Sequence, residues 1–413
     1  MNILVIGSGG REHALSLALS KSNHCDTLFV IPGNPGMNEI ATCININPMS
    51  NTEIREFSLK NNIKLIIPGS EVYLENGIVD TFHNDDIIVF GPNKKAARIE
   101  SSKEFAKDLM AKYNIPTATY QVFDNYNKAL DYVHEVGTPI VLKYDGLAGG
   151  KGVVVAMNID DAVQALKDML LDKKYGHSKV VIEEYLEGPE FSFMTFVHNG
   201  RVIPMPIAQD HKRLLDGDNG PNTGGMGIYS SVPIINKDSI DFAYTQVMQK
   251  TVDAMIKENS PFTGFLYGGL MDTKDGPKVI EFNARFGDPE TEVILPKLQT
   301  DFVDIILSLF NETIIDIKWN NDYILGVVMA SKGYPNSYTK GHEIKGLELI
   351  DDLVFHMGTT LSNNKLVTNG GRVLLVTGSG PTLKQAKEKA YENIKKIQCD
   401  NLIYRTDIGY KAL

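Results

Sequence analysis

Cysteine, net positive charge and long apolar runs are all scarce in this chain. Its only cysteines are Cys25, Cys43 and Cys399, and no two are spaced as a disulfide framework or a zinc site requires. Lys and Arg total 41 against 51 Asp and Glu, a formal net charge of -10. That balance argues against a nucleic-acid or anionic-membrane partner. A local cation cluster can still hold a phosphorylated substrate. No apolar run approaches a membrane span, and the first residues enter a strand at once, so a soluble cytoplasmic protein is expected. There is no fixed-period repeat or low-complexity tract, which excludes a solenoid. No G-x-S-x-G element supports a serine nucleophile. The histidines, His13, His177 and His356 among them, fall at no metal-ligand spacing.

At 413 residues the chain outgrows one core and predicts two to four domains. Its first hundred residues alternate apolar runs at 2–6, 27–31, 63–67 and 87–90 with helical stretches near 12–22, 52–61 and 75–82. Such alternation predicts a doubly wound parallel sheet with ligands at the carboxyl ends of the strands. Ser101-Ser102 then caps a helix that runs to Tyr113. Strands at 139–145, 153–157 and 179–186 follow, with a helix at 160–171. An Asn199-Gly200 hairpin, a long helix at 238–259 and an Asp275-Gly276 hairpin complete this region. After Trp319, runs at 324–330 and 371–376, an Asn363-Asn364 turn and a helix at 382–397 predict a smaller α+β domain. The fold class is therefore multidomain, α/β followed by α+β.

Five segments carry groups suited to chemistry. On the second strand of the Asp275-Gly276 hairpin, strict alternation puts Ile280 and Phe282 on one face and Glu281, Asn283 and Arg285 on the other. Two oxygen ligands beside a guanidinium suit Mg²⁺ or Mn²⁺ carrying a phosphorylated substrate; the other reading is an exposed polar strand face. Gly7-Ser8-Gly9-Gly10-Arg11-Glu12-His13 joins a strand to a helix and offers amides to a phosphate, or is a turn needed only for packing. A dinucleotide fingerprint would need Gly at Glu12 and an acid after the second strand, where Pro32-Gly33-Asn34 stands, so NAD is disfavoured. Lys143, followed by Gly146, Gly149, Gly150, Lys151 and Gly152, reads as a cover for polyphosphate or as a flexible hairpin loop. Glu183-Glu184-Tyr185-Leu186 can frame a purine edge, and Glu190 can hold ribose hydroxyls. Gln209-Asp210-His211-Lys212-Arg213, with the glycine-dense loop 220–227 behind it, forms an anion pocket or a solvated loop.

The order of these segments resembles the ATP-grasp superfamily. GSGGREHA (7–14), SKEFAKDLM (102–110), DGLAGGKGVVVA (145–156), QDHKR (209–213), GPNTGGMG (220–227), VIEFNARFGDPE (279–290) and TNGGRVL (368–374) together resemble the phosphoribosylamine–glycine ligase family from Met1 to about Tyr410. The resemblance implies ATP-dependent joining of glycine to 5-phosphoribosylamine through a glycyl phosphate, in purine synthesis. It implies an N-terminal substrate domain at 1–101, an ATP-grasp domain at 102–296 with a nucleotide lobe at 116–190, a connection at 297–320 and a C-terminal domain at 321–413. ATP is then held by Lys103, Lys143, the 149–152 loop, Glu183, Tyr185, Leu186 and Glu190, and the metal by Glu281 and Asn283. Arg285, Lys212 and Asp288 are the expected catalytic groups. Gly9, Gly10, Arg11 and Asn34 are expected to cradle the 5-phosphate, with Asp210 and Gly225 also at the substrate site. The partners are these small molecules alone, and the protein is expected as a monomer or weak dimer. Two departures from the family pattern stand out: Tyr73 in place of a Pro, and Gly150 in place of an Ala. Competing readings are another ATP-grasp ligase or carboxylase, a nicotinamide-dependent dehydrogenase and a non-catalytic nucleotide-binding protein.

Overall fold

The computed structural model describes residues 1–146, 152–176 and 179–413. Strands β1 (Asn2–Gly7), β2 (Thr27–Pro32), β3 (Thr42–Cys43), β4 (Ile63–Pro68) and β5 (Ile88–Val89) form an all-parallel sheet in the order β3-β2-β1-β4-β5. Ile3, Leu4, Val5 and Ile6 are all fully buried, because helices cover both faces of such a sheet. Helices α1 (Gly10–Ser20) and α2 (Asn51–Lys60) lie close to the expected stretches. The third expected helix is two short ones, α3 (Glu71–Glu75) and α4 (Ile78–Thr81). They are separated by Gly77, whose φ of 77° no continuous helix accepts. Helix α5 (Lys94–Ser101) leads into α6 (Lys103–Lys112), and the Ser102 hydroxyl caps α6 by accepting from the Phe105 amide.

Strand β6 (Tyr120–Phe123), helix α7 (Tyr126–Val136), strands β7 (Ile140–Tyr144) and β8 (Val153–Ala156), helix α8 (Ile159–Leu166) and strand β9 (Val180–Glu184) build a lobe with its own four-stranded sheet, β6-β9-β7-β8. A separate small core of Ala129, Val133, Leu142, Leu166 and Ile182 holds it together. Strand β10 (Glu190–His198) turns at Asn199-Gly200 into β11 (Arg201–Pro204) and pairs on its other side with β16. Between them lie β12 (Gln209–Asp210), β13 (Arg213–Leu215), β14 (Asn219–Asn222), β15 (Gly227–Ser230) and an unbroken helical stretch from α9 (Lys237–Phe242) to α10 (Lys250–Lys257). β16 is Gly264–Thr273 and β17, its hairpin partner, is Gly276–Asn283.

Short helix α11 (Thr291–Ile294) and helix α12 (Phe302–Phe310) then connect to the C-terminal region. That region comprises β18 (Tyr323–Ser331), β19 (Val354–His356), β20 (Thr359–Ser362), β21 (Lys365–Thr368), β22 (Arg372–Gly380), α13 (Leu383–Ile394) and β23 (Leu402–Ile403). Its sheet runs β12-β15-β18-β22-β19. Two strands from residues 209–230 therefore belong to it, and residue 321 does not divide the sheet. The consequence is functional: β12 and the loop after β14 carry Asp210 and Gly225 to the meeting point of all three regions. No helix among the described residues is long and apolar enough to cross a membrane.

Candidate functional site

The floor of the cleft is the end of β17, and a bulge changes its phase. Glu281 faces Gly269 and Val279 faces Leu270, so Ile280 is an extra residue on its strand. Val279 and Phe282 are the buried pair. Strict alternation put Ile280 in the core with Phe282; instead Ile280 is partly exposed and its carbonyl accepts from Lys143 Nζ at 2.7 Å. Glu281 and Asn283 still share one face. No hydrogen bond or ion pair among the described residues engages the Glu281 carboxylate. Burial pushes that carboxyl up, but Lys212, Lys143, Lys103 and Arg285 outweigh burial and hold it below its usual range. With its side-chain amide oriented to satisfy its neighbours, Asn283 Nδ2 donates to Glu100 Oε1 at 2.9 Å and to the Phe282 carbonyl at 3.2 Å, which turns Oδ1 away from both. A carboxylate and an amide oxygen side by side on one strand are the oxygen donors a hard cation takes, its remaining ligands being substrate oxygens and water. The group of three metal-ligand side chains that converges among the described residues, His24, Asp301 and Asp304, is elsewhere on the surface.

Lysines ring this floor. Lys103 Nζ donates to the Gly146 carbonyl at 3.0 Å, and burial lowers its pKa. Lys143 and Lys107 both reach Glu183 Oε2, at 3.0 and 2.9 Å. Glu183 is thus a buried anchor that fixes Lys143; its Oε1 has no hydrogen-bond partner, and its backbone lies in β9 between β6 and β7. Tyr185 and Leu186 follow β9 at the surface edge. The Gly152 carbonyl accepts from the Tyr144 amide at 2.8 Å. Gly149, Gly150 and Lys151 lie outside the described residues.

Farther along the cleft, Lys212 Nζ stands 3.3 Å from Glu190 and 4.0 Å from Asp210. Burial pulls its pKa down, but Glu190, Tyr267, Glu281 and Asp210 hold it well above the usual range. Glu190 therefore already faces a cation. Arg285 is likewise engaged: Nε contacts Glu71 Oε2 at 3.2 Å and Nη2 contacts Glu100 Oε1 at 3.1 Å. The two carboxyls differ sharply. Burial raises Glu71, yet Arg285 and Arg11 bring it down to about 2. Burial dominates at Glu100 and pushes it up to about 7.

Asp288 Oδ1 lies 3.0 Å from Arg372 Nη2, and Arg372 Nη1 donates to the Asp288 and Gly224 carbonyls at 2.9 and 2.7 Å. Arg372 does open β22, as a strand-entry residue should, but its side chain crosses to the site. Gly225, at φ 115°, packs directly on Asp210, whose buried Oδ1 has no hydrogen-bond partner. Burial raises the Asp210 pKa well above normal. Glu292, fully buried beneath Gly10, also lacks partners for both oxygens, and burial raises its pKa well above normal.

The first strand-to-helix turn departs most from expectation. Glu12 Oε2 accepts from the Gly9 amide at 2.6 Å and Oε1 from Arg11 Nε at 2.7 Å. A Cβ at Gly7 or Gly69 would overlap the Glu12 side chain. Glu12 fills the space a dinucleotide pyrophosphate would need, which excludes the nicotinamide reading on steric and electrostatic grounds. It also occupies the Gly9 amide expected to hold a phosphate. Asn34 spends its amide on the Ser8 and His356 carbonyls, at 2.8 and 2.9 Å, and its Oδ1 on the Gly36 amide. No side-chain donor of Asn34 remains for a phosphate. Arg11 remains beside the site, its Nη1 donating to the Phe286 carbonyl that also accepts from Arg285.

Sequence reasoning gave no site role to Glu71, Glu100, Ser192 or Tyr267, and took Glu12 only as a departure from the dinucleotide pattern and Arg372 only as part of a motif; Ser192, Tyr267 and Glu290 are buried and hydrogen-bonded together. Arg372 and Glu12 lay inside quoted motifs, and a polar residue within a glycine-rich motif was the available signal. Glu100 carried none, sitting in the last turn of an ordinary helix.

Comparison with known proteins covers the whole chain. Models of phosphoribosylglycinamide synthetase match its N domain at residues 1–100, its ATP-grasp (A) domain at 101–291 and its C domain at 324–411. A phosphoribosylamine–glycine ligase of Halalkalibacterium halodurans is 52% identical over 417 residues, covering 100% of this chain and 97% of that protein. One of Listeria monocytogenes is 48% identical, covering 100% of both. The crystal structure of the Thermotoga maritima phosphoribosylamine–glycine ligase matches with a TM-score of 0.85 at 34% identity, over 98% of this chain and 100% of that one. A Campylobacter jejuni biotin carboxylase, at 14% identity and TM-score 0.72 over 98% of this chain and 92% of that one, shares the fold.

Proposed function

The chain belongs to the phosphoribosylamine–glycine ligase family, and from that premise we propose how its cleft works. The reaction joins glycine to 5-phosphoribosylamine with ATP, giving glycinamide ribonucleotide, ADP and phosphate. The observation that carries the site reading is Glu281, a carboxylate that no hydrogen bond or ion pair among the described residues engages, set among four cations.

A carboxylate is a poor electrophile, so a glycine oxygen first attacks the γ-phosphorus of ATP. The bond from that phosphorus to the β–γ bridging oxygen breaks, and ADP leaves. The ribosylamine nitrogen then attacks the glycyl carbonyl carbon, the C–O bond to phosphate breaks and the nitrogen gives up one proton. Such a transfer needs positioning and charge neutralisation more than covalent help. Lys103 and Lys143 hold the α- and β-phosphates, Lys143 fixed by Glu183. Lys212 neutralises the transferred phosphoryl group, and Arg285 orients the glycyl end from its two carboxylates. Glu281 and Asn283 would hold Mg²⁺ or Mn²⁺, which would supply charge neutralisation for the ATP phosphates. Asp288, set by Arg372, borders the glycine ammonium with Asp210 and Gly225. Arg11 gives the ribosylamine a cation at the 7–11 turn. The same reading places the protein in the cytoplasm with small-molecule partners only, as a monomer or weak dimer.

The test is ADP and phosphate release with glycine and phosphoribosylamine supplied singly and together. Sustained turnover with both and not with either alone is expected. AMP release would instead mark an adenylating enzyme, and no nucleotide turnover a binding protein.

A further inference from the structure

Helix α6 begins at Lys103, and its first-turn amides are satisfied from two places. The Ser102 hydroxyl accepts from the Phe105 amide at 3.2 Å, as an ordinary N-cap does. The two preceding amides go elsewhere. Asp145 Oδ1, on the lobe of β6 to β9, accepts from the Lys103 amide at 2.6 Å and from the Glu104 amide at 3.2 Å. The grip is reinforced around it. Lys103 Nζ returns to the Gly146 carbonyl at 3.0 Å. The Asp145 amide donates to the Lys179 carbonyl at 3.0 Å, and Lys179 Nζ holds both Glu104 oxygens at 2.7 Å. One turn of a helix in the body is therefore clasped by the lobe at 145–146 and 179.

We infer that Asp145 is a positioning residue for the nucleotide step: by capping α6 in trans it sets the lysine that faces the ATP phosphates. A carboxylate at a helix N-terminus is favoured by the amides and by the helix dipole together. Its hydrogen bonds fix the backbone of Lys103, and the bond to Gly146 fixes the far end of the same side chain. Lys103 then reaches the phosphates with few rotamers to lose, which lowers the entropic cost of binding. The inference rests on the assignment of Lys103 to the ATP phosphates and adds to it the residue that holds Lys103 in place.

Four variants test it: Asp145→Ala, Asp145→Asn, Asp145→Ser and Lys103→Ala. Asp145→Ala should raise the KM for ATP about tenfold, move the KM for glycine less than twofold and speed hydrogen exchange at the Lys103 and Glu104 amides. Asp145→Asn keeps an acceptor oxygen and should stay within about threefold on every count. Asp145→Ser, with a shorter acceptor, should fall between them and serves should the alanine variant not fold. Equal damage from Asn and Ala would overturn the cap, since charge alone would then matter. A uniform rise in all three substrate constants would overturn it as well. If Lys103→Ala leaves the ATP constant unchanged, the phosphate assignment itself fails. If Lys103→Ala impairs ATP use while Asp145→Ala does not, only the cap is lost.

Discussion

At the end of β17, the Glu281 carboxylate takes no hydrogen bond among the described residues and sits among four cations, whereas after β1 Glu12 spends both oxygens on Arg11 and the Gly9 amide. The two strand ends border one cleft, linked where Arg11 and Arg285 share the Phe286 carbonyl. Each began as a pattern suited to a phosphorylated ligand. The floor strand leaves oxygens open to a cation and needs a ligand to complete it. The turn is complete by itself. The difference teaches that a glycine-rich backbone decides where a ligand can approach, while one nearby side chain decides which charge is welcome there.

Breaking the open side of this comparison should have the largest effect. Glu281→Ala removes the only carboxylate of the cation pair, and a lost metal contact is worth several kcal/mol of transition-state stabilisation. ADP formation with both substrates should fall about 10³-fold. Saturating Mg²⁺ or Mn²⁺ should recover little of it. Activity near wild type would remove Glu281 from the metal site.

A smaller and pH-dependent effect is expected at Glu100, between the two regions. Its carboxyl is pushed up to about 7, chiefly by burial. The unfolded chain releases this proton near pH 4.5 while the folded protein keeps it until about pH 7, so folding loses stability as pH rises through that window. The loss approaches roughly 3 kcal/mol above pH 7. Glu71, held down to about 2, has the opposite sign: its stabilisation is present above pH 4.5 and fades below. Glu100→Gln should therefore match wild type below pH 4.5 and gain on it steadily up to pH 8, read from urea midpoints. A gap that stays constant across that range would count against the shifted carboxyl.

Much of the architecture was legible because periodicity reports burial. The apolar runs at 2–6, 27–31 and 63–67 became β1, β2 and β4, and Ser102 capped its helix as read. What escaped the sequence depended on contacts far apart in the chain. The bulge at Ile280 depends on how β16 pairs with β17, and no local pattern announces it. Asn34 joins Ser8 to His356, the latter 322 positions from it. Arg372 is set by carbonyls at Gly224 and Asp288. The shared face of Glu281 and Asn283 was readable from E-x-N alone because both residues sit on one strand. The partners of Arg11, Arg285 and Asp288 were not, because Glu12, Glu71 and Arg372 come from three elements.

The smallest of these effects sharpens the closed side. Glu12→Gln keeps an acceptor for the Gly9 amide but removes the charge facing Arg11, whose buried guanidinium would lose its nearest counterion. Stability should drop by about 2 kcal/mol, as when a buried polar partner is withdrawn. The freed Arg11 can then turn toward the ligand or stay pinned by the Phe286 carbonyl. In the first case the KM for phosphoribosylamine falls, and in the second it rises about fivefold with the ATP constant unchanged. The rise is expected, because Glu12 also fills the space between Gly7 and Gly69 and so shapes the turn. Equal changes in both constants would mean that the turn supports the fold and takes no part in selecting the ribosylamine.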